Sequence, residues 1–227
     1  MHLIIGNKLY SSWSLRPWIL MQALNLPFDE TVIPLHQDDT RQQIVKHSPA
    51  GKVPVLKDGA ILVWESLAIM EYLHERFPNA GVWPGDVAAR AHARAIANEM
   101  HAGFQPLRQA CPMNLGKKFA AKPYGDDVKA AVARIEAIWS EARSRFGHGG
   151  PFLYGAFSAA DAMYAPIVTR LDTYSFAVSP TSRAYMDAVL KSPAFVAWRL
   201  AALQEPWHVP HYEEGHTVVQ SFVPKKA

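Results

Sequence analysis

The chain has a single cysteine, Cys111, among its 227 residues. An internal disulfide is therefore impossible, and a four-cysteine zinc site is excluded. No apolar run approaches the roughly 18 residues that a membrane span requires, although hydrophobic residues make up 49% of the chain. That apolar content is enough for a full core in one large domain or two small ones. No charge of one sign dominates, since 23 basic and 20 acidic residues give a net charge of +3. No Lys/Arg run stands out beyond Lys225-Lys226, and nucleic-acid binding wants a concentrated basic face. Neither a nucleic-acid nor a membrane partner is expected. The first residues open almost directly into a strand pattern, with no basic stretch leading into an apolar signal core, so the expected location is cytoplasmic. Internal repeats and low-complexity tracts are also missing.

What is present changes character part-way along. Leu3-Ile4-Ile5 reads as a buried strand, Trp18 to Leu24 as a helix, and Phe28 to Ile33 as a second strand. A short helix is expected over 41–46 after the polar residues Asp38, Asp39 and Thr40. Val53 to Leu56 and Ile61 to Val63 are β-type runs around an Asp58-Gly59 hairpin signal, and a helix follows over 65–76. This order, β-α-β-α-β-β-α, predicts a thioredoxin-like α/β domain over 1–78. The breakers in Phe77-Pro78-Asn79-Ala80-Gly81 and Trp83-Pro84-Gly85-Asp86 mark a connector, with the linker drawn at 79–87. An all-helical domain over 88–227 is expected to begin with one long helix, 88–110, followed by a helix over 126–146 and an irregular tail of about twenty residues. Ser158 and Asp161 have the spacing of a capping box, with Phe157 placed as a hydrophobic staple.

The chemistry-bearing residues cluster at predicted helix starts. Ser11, Ser12 and Ser14 lie between the first strand and its helix, with Trp13, Arg16 and Pro17 among them. A helix N-terminus favours negative charge, and a serine hydroxyl can donate to an anion such as a thiolate. Serine at such a position also serves simply as a cap, so the two roles stand side by side. Glu65-Ser66 opens another helix, and Val53-Pro54 precedes a strand.

Taken together, these motifs resemble the cytosolic glutathione transferases along essentially the whole chain. Within that family, Ser11-Ser12-Trp13-Ser14-Leu15-Arg16 is similar to the Ser-Ser-Cys-Ser-x-Arg signature of the zeta class, and Gly103-Phe104-Gln105-Pro106-Leu107 resembles that class as well. The resemblance is to a zeta-like, maleylacetoacetate isomerase-like member of bacterial type. It implies glutathione as co-substrate, a small electrophile as the second substrate, detoxifying conjugation, a homodimer and no metal. Ser11 is then the first candidate for the thiolate donor, followed by Ser12 and Ser14, and Arg16 faces either the reaction or a structural partner. Val53, with a cis peptide to Pro54, pairs with the cysteinyl part of glutathione; Glu65 and Ser66 take its γ-glutamyl end. Lys52 neutralises the glycyl carboxylate, and Gln105 reaches the tripeptide from the helical domain. A free thiol has a pKa of about 8.5, so lowering it by about two units corresponds to roughly 2.7 kcal/mol, within reach of a charge-assisted hydrogen bond and a helix terminus.

Two departures from the zeta pattern bear on the second substrate. Trp13 stands where the signature has Cys. The arginine that holds a substrate carboxylate in zeta isomerases aligns with Thr173, while Arg170 lies almost one turn earlier and Arg108 offers a substitute from a neighbouring helix. Three functions stay open: a transferase, a maleyl-acid cis–trans isomerase, and a non-catalytic glutathione-binding or regulatory protein on the same scaffold. His208, His211 and His216 are expected to pack in the tail and not to bind metal, and His101 is expected near the cleft or satisfied between domains. Cys111 is expected to be a buried thiol, and Trp64 and Tyr72 are expected to pack.

Overall fold

A computed structural model describes residues 1–223, so Lys225-Lys226 lie outside the described residues. Strand β1 (His2–Gly6) pairs in parallel with β2 (Asp29–Ile33) and antiparallel with β3 (Val55–Asp58). Strand β4 (Ile61–Trp64) completes the order β2-β1-β3-β4, joined to β3 by a turn in which Gly59 takes φ +58°. Leu3, Ile4 and Ile5 are all fully buried, because both faces of the sheet are covered. Leu3 and Ile5 face helices α1 (Ser12–Ala23) and α3 (Ser66–Arg76), whereas Ile4 faces Ile44 of α2 (Thr40–Val45). The alternation that places them so is the period-two pleat of a strand.

The second part is helical. Asp86 caps α4 (Val87–Ala102) by accepting from the Ala89 N–H at 2.8 Å. Where one helix is expected over 88–110, the structure has two, because the chain breaks at Gly103-Phe104 before α5 (Gln105–Ala110). Phe104 takes φ +58° there, and Pro106 in the first turn of α5 has no N–H with which to continue an incoming helix. Helix α6 (Asp126–Phe146) follows β5 (Lys117–Phe119). Helix α7 (Ala159–Thr173) starts in the expected capping box: the Ser158 N–H donates to Asp161 at 2.9 Å and the Leu153 N–H at 3.0 Å. Phe157 meets Phe152 edge to face at 5.1 Å. Helix α7 is the axis of the fold, buried along nearly all its length and packed against α1, α4 and α8 (Pro180–Lys191). Its Ala-rich surface lets those neighbours approach, so the two parts share one apolar core. After α9 (Pro193–Ala202) the tail is less irregular than expected, since β6 (Val218–Ser221) pairs antiparallel with β5. Among the described residues, no helix is long and apolar enough to cross a membrane.

Candidate active site

The start of α1 lies where the sheet meets the helical domain. Ser11 is its N-cap and only 6% exposed. Its Oγ is 2.8 Å from the Ser14 Oγ, which accepts from the Gly6 N–H at 2.9 Å. Gly6 is needed here, because a Cβ would sit 3.0 Å from the Ser11 Oγ and under 3 Å from Leu35. Ser12 faces the other way. With Trp13, Gln105, Arg108, Gln109 and Arg170 it lines a cavity of about 210 Å³ between the two parts of the chain.

Trp13 organises the cavity wall. Its carbonyl accepts from the Ser66 hydroxyl at 2.9 Å, tying the starts of α1 and α3 together. The Arg16 guanidinium lies 4.1 Å from its ring centroid and that of Arg108 at 4.9 Å, within cation–π range. The His101 ring lies 5.2 Å from it. His101 also brings its Nε2 to 3.9 Å from Glu65, while its buried Nδ1 has no hydrogen-bond partner among the described residues. Glu65 takes φ +69° as the N-cap of α3 and keeps its carboxylate half exposed.

Three arginines converge here, and among the described residues none has a carboxylate within ion-pair distance. Arg16, 1% exposed, donates from Nε to the Met163 carbonyl at 3.1 Å and from a terminal nitrogen to that of Ser12 at 2.8 Å. Arg170, 5% exposed, donates from Nε to the Cys111 carbonyl at 2.8 Å. Arg108 donates to the Gly103 carbonyl at 3.2 Å. Burial lowers the pKa of all three. Arg170 falls to about 10 with Arg108's charge as the next cause, and Arg16 is held well below its ordinary value with Arg170 and then Arg108 adding repulsion. An anion in the cavity relieves both the desolvation and the repulsion.

The structure thus brings Ser12, Gln105 and Arg108 together on one cavity, with Arg16 behind the Trp13 ring and Ser66 beneath its backbone. Lys52, Val53 and Pro54 are not among the residues lining that cavity; they stand on the loop leading into β3, where Lys52 is exposed and the Val53–Pro54 peptide is cis. Thr173, the position aligned with the carboxylate-holding arginine, instead donates from its hydroxyl to the Asn114 carbonyl at 3.1 Å. Arg170, not Thr173, lines the cavity. Met163, Pro166, Arg170 and Thr173 share one face of α7, so position along the helix separates them: Arg170 lies one turn nearer Met163, whose carbonyl meets Arg16, and Thr173 lies at the helix end against Asn114. Cys111 is fully buried, which pushes its thiol up to about 11 and removes it as a nucleophile. Trp64 does not pack as expected but is 42% exposed at the sheet edge, while the Tyr72 hydroxyl donates to Asp58 at 2.8 Å. In the tail, His211 stacks at an angle against His36 and Tyr212, and His216 against Phe119 and Tyr174.

Residues 10–76 match the family model for the glutathione S-transferase N-terminal domain, and residues 89–201 match that for the C-terminal domain. The chain belongs to the glutathione S-transferase family. It is 29% identical to a probable maleylacetoacetate isomerase of Caenorhabditis elegans over 196 residues, 83% of this chain and 91% of that protein. Among solved structures it resembles a glutathione transferase homologue from Burkholderia with bound glutathione, with a TM-score of 0.69 and 20% identity over 90% of this chain and 98% of that one. A maleylpyruvate isomerase, a bacterial zeta-class transferase in its holo form, superposes with a TM-score of 0.65 and 21% identity over 92% of this chain and all of that one. At such identities the solved structures speak for the fold, and the glutathione transferase fold is the one described above. The likeness to the zeta class comes from sequence relatives, among them a zeta-class glutathione S-transferase of Euphorbia esula, 28% identical over 65% of this chain and 68% of that protein.

Proposed function

We propose that this glutathione transferase acts on a small electrophile carrying a carboxylate, and that its reaction is the glutathione-dependent cis–trans isomerisation of a maleyl-type acid. The observation that carries this is the cavity wall of Arg108 and Arg170, two cations without a carboxylate partner among the described residues, facing Ser12 across about 210 Å³. Such a space suits a short unsaturated acid better than a bulky apolar conjugation substrate. The maleylacetoacetate and maleylpyruvate isomerases among the relatives agree with this choice.

The residues present fit glutathione, a tripeptide with two carboxylates, one ammonium and a thiol. The Ser66 backbone and the free first-turn N–H groups of α3 receive the γ-glutamyl carboxylate, and Glu65 accepts from its ammonium. The Val53 backbone pairs with the cysteinyl unit, Lys52 meets the glycyl carboxylate, and Gln105 reaches in from α5. The thiol lies at the start of α1, where Ser11 is the first candidate donor and Ser12 the second. The bound thiolate adds through sulfur to one alkene carbon, the displaced pair moving to the conjugated carbonyl oxygen. Rotation about the resulting single bond and expulsion of sulfur then restore the double bond in the trans form. Arg108 and Arg170 hold the substrate carboxylate and stabilise negative charge as it grows on that oxygen. Arg16 supports the Trp13 wall and adds positive potential from behind. A cytoplasmic setting, where thiols stay reduced, suits this chemistry. A second copy of the chain is the expected partner.

The deciding experiment is Arg108→Ala assayed for isomerisation of a maleyl-type acid alongside glutathione binding. Removing a charged donor costs about 1.5–3 kcal/mol, so kcat/KM should fall by roughly 10- to 150-fold with glutathione affinity unchanged. Unaffected turnover would sink the isomerase assignment.

A further inference from the structure

The turn that carries Ser11 is held by the far end of the chain. From Asn7 to Ser11 the backbone folds into one tight turn, in which the Asn7 carbonyl accepts from the Tyr10 N–H at 3.3 Å and the Ser11 N–H at 2.9 Å. The first N–H groups of any such turn point away without an internal acceptor. Here they belong to Lys8 and Leu9, and Glu205 receives both. Its Oε1 accepts from the Lys8 N–H at 2.7 Å and its Oε2 from the Leu9 N–H at 3.0 Å. The carbonyls of the same two residues are also taken from the helical domain, that of Lys8 by the Trp198 indole N–H at 2.9 Å and that of Leu9 by the Leu115 N–H at 3.3 Å. All four backbone groups are thus bonded by the second half of the molecule. Next in line, the Tyr10 hydroxyl accepts from the Val209 N–H at 3.4 Å and its ring meets Tyr212 edge to face at 5.6 Å.

We propose that Glu205 is a positioning residue for thiol activation, its carboxylate holding the Asn7–Ser11 turn so that the tail of the helical domain sets how strongly the start of α1 stabilises the glutathione thiolate. The proposal rests on the thiol lying at that helix start, as set out under the function above. Stabilising a localised charge demands donors fixed before the charge appears, and a displacement of a few tenths of an ångström weakens each bond to it. Glu205 caps the turn with two charge-assisted bonds, the stronger kind. It touches no substrate atom; its effect passes through Lys8, Leu9 and Tyr10 to the serines.

The test is ultraviolet titration of the bound glutathione thiolate in the full-length protein, comparing wild type with Glu205→Gln. The amide keeps one acceptor but turns an NH2 group towards a backbone N–H, so one of the two bonds is lost at constant shape. The expected result is an upward shift of the bound-thiol pKa by about one unit, a tenfold loss of thiolate at a fixed pH below it, in a protein that is still folded and keeps its glutathione stoichiometry. Glu214→Gln, which neutralises an exposed carboxylate in the same tail, should leave that pKa in place. An unchanged pKa in a folded, glutathione-binding Glu205→Gln protein would overturn the proposal, as would an equal shift in Glu214→Gln. Should Glu205→Gln fail to fold, Glu205→Asp decides, because it keeps the charge and shortens the reach. A raised thiol pKa there supports positioning and an unchanged one overturns it. A wild-type enzyme with an unperturbed thiol overturns the activation mechanism itself, an outcome distinct from a lowered wild-type pKa that Glu205 does not affect.

Discussion

At the start of α1 three hydroxyl groups divide the available space. Ser14 is anchored by the Gly6 N–H, Ser11 is in contact with Ser14, and Ser12 opens on the arginine-lined cavity. The Ser11 hydroxyl donates to Ser14, and turning its proton to a thiolate lets Ser14, which accepts from the Gly6 N–H, donate to Ser11 in return, so the chain favours a thiolate at its end. The expected outcome is a bound thiol pKa about two units below the free value, reverting in Ser11→Ala, which matches a loss of roughly 2.7 kcal/mol. Ser14→Ala should give part of that reversion, since it removes the link without removing the donor. Ultraviolet titration of the thiolate checks both, and reversion in Ser12→Ala instead would transfer the role to Ser12. Much of this site was legible because short motifs carry local geometry: Ser11-Ser12 and Glu65-Ser66 do lie at helix starts. Arg170 was not, because its role depends on how far along α7 the cavity lies, and Trp13's contact with Arg108 spans two domains. The partnerless state of the arginines is a property of three-dimensional surroundings that spacing does not encode.

Among the elements, α7 shows how a local signal and a global one combine. Its capping box was readable from Ser158 and Asp161, whereas its burial on nearly every side follows only from the helices packed around it. The break between α4 and α5 was misread because alanine-rich periodicity runs up to Ala102, and Gly103 and Pro106 punctuate it without changing the composition. The full burial of the capping box has a measurable consequence. Burial raises the Asp161 carboxyl from 3.8 to about 6, against the opposing pull of the Leu153 and Ser158 donors. Between those values the folded protein holds a proton that the unfolded chain releases. The contribution of Asp161 is therefore fully present below about pH 4 and is lost as pH rises through 6, a decline of about 3 kcal/mol from this group. Urea midpoints measured from pH 4 to 7 should show that slope in wild type and not in Asp161→Asn, whatever the offset between the two proteins. An identical slope in the variant would assign the pH dependence to other groups.

For the whole molecule, the exposed sheet edge is the feature left without an internal explanation. Strand β4 is the last in the order β2-β1-β3-β4, and Ile61, Leu62 and Trp64 on it are 50%, 36% and 42% exposed. Edge strands that stay monomeric are blunted with charge or proline, and this one carries neither. An apolar edge of this kind is suited to a second copy of the chain, whose two-fold axis presents the same residues in return. The cavity of Ser12, Trp13 and Arg170 is built from other surfaces, whereas Glu65 and Ser66 follow Trp64 directly in the chain. Wild type should therefore sediment as a dimer and Trp64→Glu as a monomer. Two-fold symmetry places the lost burial and the new charge at the interface twice, about 3 kcal/mol in total at 1.5 kcal/mol per aromatic side chain, or more than a hundredfold in association. A Trp64→Glu protein that remains dimeric at low micromolar concentration would put the interface elsewhere, and a monomeric wild type would leave the β4 edge to some other partner.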